Sequence, residues 1–104
     1  MLTPSFELKI YDNKYSVVPT FELHFKLEEK LNVTLYSLLA NKIDTGFSVS
    51  ELYDIYSLLD CSELGEDKLK EYIAINRVEA NKQISELIMF LVLPQKQEEQ
   101  LKKK

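Results

Sequence analysis

Residues 6 to 18, FELKIYDNKYSVV, alternate apolar and polar side chains on both sides of Asp12-Asn13, and directly after them the alternation stops. Phe6, Leu8 and Ile10 fall on one face of an extended chain, and Tyr15 and Val17 on one face of its return, the period-two signature of a β-hairpin. Asp12 and Asn13 are expected to form the turn, because both tolerate the positive φ that a tight hairpin loop needs. Pro19 ends the second strand, since it has no N–H to give to a ladder and biases Val18 toward an extended conformation. From Thr20 onward the apolar residues recur at three and four, so the chain reads as mainly α with an N-terminal hairpin (α+β), a small helical domain of four to five short helices.

Each helix is bounded by signals of its own. Thr20 is placed to cap the first; behind it Phe21, Phe25 and Glu28 form one stripe and Leu23, Leu27 and Leu31 the neighbouring one, up to a stop at Asn32. Thr34 caps a short second helix carrying Leu35, Leu38, Leu39 and Ile43, which Gly46 breaks. Ser48 to Glu51, SVSE, is a capping box and opens a third helix with a stripe of Leu52, Ile55, Tyr56 and Leu59, bordered by Tyr53. After a turn at CSELGED around Gly65, a fourth helix carries Leu69, Tyr72 and Ile73, with Asn76 as an expected left-handed stop. The fifth, RVEANKQISELIMFLVL, is expected to be amphipathic through Val78, Ile84 and Leu87, then apolar on every face from Leu87 to Leu93, where Pro94 ends it. Residues 1–94 thus form one domain, with the hairpin over 6–18, and 95–104 a polar tail.

The totals narrow the function classes. A chain of 104 residues buries about two thirds of the surface it exposes unfolded, so association with another chain is a natural source of stability. A net charge of -4, with Lys102-Lys103-Lys104 as the single basic run, argues against nucleic-acid binding. The apolar run LIMFLVL spans roughly 10 Å as helix against roughly 30 Å of hydrocarbon, which excludes a membrane span. The single cysteine, Cys61, has no disulfide partner within the chain, and MLTPSFELKI lacks the basic and apolar regions of a secretion signal, so the cytoplasm is the expected compartment. Asn32-Val33-Thr34 matches a glycosylation sequon but reads better as a helix stop and cap in a cytosolic protein.

No constellation for chemistry stands out, and neither catalytic, cofactor-binding nor metal-ligating residues are assigned. His24 is the sole histidine and reads as a helix-surface imidazole near Glu28, one turn on. Cys61 reads as a buried or half-buried thiol. Glu22, Glu28 and Glu29 lie in a Glu-Lys pattern that suits a solvated face better than a paired-carboxylate site. Two glycines, Gly46 and Gly65, cannot build a phosphate loop.

What does stand out is the end of the last helix. So small a domain has difficulty enclosing seven consecutive apolar residues, so Leu87, Met89, Phe90, Leu91 and Val92 are the expected partner-binding residues, with Tyr53 as an aromatic neighbour of the amphipathic kind enriched at interfaces. A second copy of the chain is an alternative occupant.

Taken together, YSVVPTFELHFKLEEKLNVTLYSLLANKIDTGFSVSELYDIYSLL resembles the small tail assembly proteins of tailed phages and gene transfer agents, called tail assembly chaperones or tail tube proteins. The likeness lies in a hairpin, a TF-x-x-x-x-x-LEEKLN-V-T-L helix, a short sLxxLL helix and a G-F-S-x-x-E-L helix start, over roughly residues 8 to 60. Where the family often has glycine this chain has Asn32, and beyond Gly65 it matches only as helix. The resemblance implies a non-enzymatic protein, acting in the cytoplasm of the bacterial host cell, that binds tail components such as the tape-measure protein. Alternatives are a structural tail component that self-assembles, and a small regulatory protein-binding module. It also raises a longer product made by ribosomal slippage near the Lys102–Lys104 codons.

Overall fold

A computed structural model of the chain describes residues 4–59 and 64–93. Cys61, Pro94 and the tail 95–104 lie outside the described residues. Two antiparallel strands, β1 (Phe6–Ile10) and β2 (Asn13–Val17), are followed by five helices: α1 (Phe21–Leu31), α2 (Leu35–Lys42), α3 (Val49–Ser57), α4 (Glu66–Ile75) and α5 (Arg77–Val92). This is the small α+β domain that the change of period predicts. Three of the helix starts are written locally: Thr20, Thr34 and Ser48 each accept, through the hydroxyl, from the backbone N–H three residues on, at 3.0 to 3.1 Å.

At Ser48 the box is closed by Glu51, which accepts from the Ser48 N–H at 2.9 Å and meets Lys42 Nζ at 3.2 Å. Partial burial works to raise the Glu51 pKa, but the backbone bond from Ser48, the nearby Lys42 ammonium and the Ser48 hydroxyl outweigh it and hold the carboxyl below its ordinary 4.5. A depressed carboxyl contributes stability above its unfolded pKa and loses it as pH falls through the folded one. Ser48→Ala is therefore expected to cost about 1 kcal/mol at neutral pH, and Glu51→Gln to flatten the decline in stability below about pH 4.5, both measurable by urea unfolding at several pH values.

The hairpin closes one residue earlier than expected. Ile10 faces Asn13, so the loop is Tyr11-Asp12, and the positive φ falls on Tyr11 (56°), not on Asp12 or Asn13. A side chain 74 residues away accounts for this register. Opposite Lys14, Lys9 turns its N–H and C=O away from β2, and the Gln83 amide of α5 takes both, accepting from Lys9 N at 2.7 Å and donating to Lys9 O at 3.0 Å. With Asp12-Asn13 in the loop, Lys9 would instead point its polar groups at β2, out of reach of Gln83. Tyr11 is held at its strained φ by edge-on packing against Tyr72, with ring centroids 5.5 Å apart.

α5 is the hub, packing against α2, α3, α4 and β1. Its inner face is Ala80, Gln83, Ile84, Leu87, Ile88 and Leu91, all buried. Val78, expected in this stripe, is 84 % exposed, because it lies about 180° around the helix from Leu87 at roughly 100° per residue. Asn76 ends α4 as expected but not in the left-handed region (φ -111°): it also starts α5, its carbonyl accepting from Ala80 N at 2.8 Å, and a sharp corner shared by two helices leaves no room for a left-handed cap. Asn32 has the left-handed conformation (φ 60°) and serves as the stop to α1. Gly46 (φ 88°) lets the chain pass close to α5, where a Cβ would sit 3.2 Å from the Asn81 Oδ1 that accepts from Phe47 N.

Candidate protein-interaction surface

The six residues singled out as partner-binding do not share one surface. Leu87 and Leu91 are in the core, enclosed by the elements around α5. Phe90 is half-buried with its ring 5.7 Å from that of Phe6, and Val92 packs half-buried beside the core. Met89 faces outward and is 36 % exposed. One turn on, Leu93 is 51 % exposed. Along this outer side of α5 the chain runs Lys82, Ser85, Glu86, then Met89 and Leu93, so a polar face turns apolar in its last turn. Enclosure is more complete than expected because α5 is the central helix, with neighbours on several sides.

Tyr53 is half-buried and occupied within the fold. Lys70 Nζ sits 5.6 Å over its ring, and Lys70 pairs with Glu66 at 3.0 Å, so the phenol joins α3 to the first turns of α4. Burial, followed by the charge and hydrogen bond of Glu66, raises the Tyr53 pKa. The Lys70 hydrogen bond and charge lower that of Glu66.

The largest exposed apolar side chains lie elsewhere. Phe21 is 84 % exposed and Phe25 53 %, their rings stacked with centroids 6.2 Å apart and planes 22° from parallel. Tyr36 at the start of α2 and Ile75 at the end of α4 are each 69 % exposed. Two apolar stripes on α1 were visible in the sequence. Only one could face the core, and the leucines took it, with Leu27 fully buried and Leu23 and Leu31 packed beside it. Each aromatic left in water forgoes about 1.5 to 3 kcal/mol of burial, a large fraction of a small domain's stability.

Polar chemistry is spent on structure. His24 is half-buried, and the Glu28 carboxylate expected beside it turns to accept from Leu35 N at 2.9 Å, fastening α2 to α1. Among the described residues no three His, Cys, Asp or Glu side chains gather in a metal-ligating group. An open cleft of about 720 Å³ between the hairpin turn and α4 mixes Tyr11, Tyr15 and Ile75 with Asp12, Lys68 and Glu71. Among the described residues no helix is long and apolar enough to cross a membrane.

By architecture the chain is a small α+β domain in which α2, α3, α4 and the first strand of the hairpin pack against α5, with α1 set against α2 and α3. It matches no family model, and neither a curated protein nor a solved structure is significantly similar to it.

Proposed function

We propose that this protein is a non-enzymatic binding module for other protein chains, and that it serves as a tail assembly chaperone of a phage, prophage or gene-transfer-agent type, holding a tail component such as the tape-measure protein in the bacterial cytoplasm. The observation that carries the binding reading is the amount of large apolar side chain left in water by so small a domain, at Met89 in the last turn of α5 and Leu93 just after it, and at Phe21 and Phe25 on α1. The tail-assembly part rests on the resemblance over roughly residues 8 to 60. Self-assembly as a structural tail component and a regulatory role remain the alternatives.

Co-expression with a phage tape-measure protein tests the proposal. The partner is expected to move from the insoluble to the soluble fraction and to elute with this protein on gel filtration. Met89→Glu is expected to weaken that complex roughly tenfold or more, since a carboxylate would have to be desolvated at the contact, while leaving the melting temperature within a few degrees. A partner equally insoluble with and without this protein counts against the chaperone reading, and rings of this protein alone favour the structural one.

A further inference from the structure

We propose that the outer face of α1 is a second docking surface, and that its occupant is a basic amphipathic helix of another protein, seated on the stacked Phe21–Phe25 pair and held by Glu22 and Glu29. This inference shares the exposed Phe21 and Phe25 with the binding reading above but does not rest on its tail-assembly part, because it uses only the surface of α1.

The shape of the face points to a helix. Phe21 and Phe25 are one turn apart and stacked at 6.2 Å, so they form a short ridge along the α1 axis. A ridge with that spacing fits the groove between side-chain rows three and four apart on a facing helix. Glu28 ties the first turn of α2 to α1 through Leu35 N, so α1 is held in place while its outer face stays open.

The charge of the border decides the partner's chemistry. At roughly 100° per residue, Glu29 and Glu22 follow Phe25 around the helix within about 60°, and Lys26 stands farther from the ridge than either. Both glutamates are exposed, and the ion pairs found among the described residues, Lys42–Glu51 and Lys70–Glu66, involve neither. A second copy docking through the same face by a two-fold axis would set these acidic borders against each other, on a chain that already carries -4. A helix with lysines or arginines flanking an apolar stripe satisfies both the ridge and its border.

The test uses the full chain and a fluorescein-labelled amphipathic Leu/Lys peptide of roughly 18 residues, about five turns, with its Leu/Glu counterpart as control, read by fluorescence anisotropy. The Leu/Lys peptide is expected to bind, and the Leu/Glu peptide to bind at least tenfold more weakly. Both the Phe21→Ser/Phe25→Ser and the Glu22→Lys/Glu29→Lys double variants are expected to weaken binding roughly tenfold or more. Far-UV circular dichroism should be unchanged in both, because all four side chains are exposed. Hydrogen exchange of the unaltered protein should slow in α1 on peptide addition, a readout that needs no variant. The proposal is overturned by no binding, by binding that the aromatic double variant leaves intact, by equal binding of the Leu/Glu peptide, or by protection confined to the end of α5. It is also overturned by a dimer in sedimentation that Phe21→Ser/Phe25→Ser dissolves, which would make a second copy the occupant.

Discussion

Replacing Gln83 by leucine is expected to lower the unfolding free energy by about 3 to 5 kcal/mol, read as a lower urea midpoint with an unchanged slope. Gln83 is the buried polar side chain of the core, 7 % exposed, and its amide serves three elements besides its own. Toward β1 it behaves like one peptide unit of a third strand, pairing with both polar groups of Lys9. Toward α3 and α4 its Nε2 donates to the Tyr56 hydroxyl at 3.1 Å and the Tyr72 hydroxyl at 2.8 Å, whose rings meet edge-on at 6.0 Å. Two amide hydrogens thus serve three acceptors, so at least one of these bonds is shared. Leucine fits the space but leaves the Lys9 N–H and C=O and both phenol oxygens without their amide partner, and each such group costs about 1 to 3 kcal/mol unless water reaches it. Lys9, at the edge of the sheet, can recover water; the buried tyrosines carry most of the cost.

Gln83→Glu provides the sign. Burial disfavours the carboxylate, so its folded pKa lies above the unfolded value of about 4.3. A group with a raised folded pKa contributes stability below its unfolded pKa and loses it as pH rises through the folded one. The Gln83→Glu variant is therefore expected to be more stable at pH 4 than at pH 7, and Gln83→Leu to show no comparable change between those two values. If both variants unfold at the same urea concentration as the unaltered protein, then the amide does not hold the hairpin to the helices.

The sequence carried the parts of this fold that depend on near neighbours. Thr20, Thr34 and Ser48 cap helices because each bond closes over three residues, and Leu52, Ile55, Tyr56 and Leu59 are buried as their spacing required. What depends on distant partners was not legible. Gln83 in NKQISEL reads like a surface residue, yet its partners lie 74, 27 and 11 residues away, and it selects the hairpin register that places Tyr11 in the loop. Phe21 and Phe25 have the period of a buried stripe; only the placement of α2 and α3 against the leucine side reveals that they face water. Val78 shares the apolarity of the inner face but not its angle, which sets it opposite Leu87 and leaves it in water.

Leu87→Ala is expected to cost about 3 to 5 kcal/mol, and Met89→Ala less than about 1 kcal/mol, although the two residues stand two positions apart in the same apolar run. Leu87 has no exposed surface and lies among Ile84, Ile88 and Leu91 on the inner face of α5, where elements on several sides prevent collapse around a deleted isobutyl group. Met89 points away from that face, 36 % exposed, and its truncation leaves space that solvent fills. The contrast separates two ways in which a change at the end of α5 can abolish partner binding. Leu87→Ala should reduce binding in proportion to the unfolded fraction, so cooling toward the temperature of maximum stability should restore it. Met89→Glu should leave the folded fraction unchanged and reduce binding at every temperature. Equal destabilisation by Leu87→Ala and Met89→Ala would mean that α5 is rotated from the orientation described, and that Leu87 and Leu91 are free to meet a partner after all.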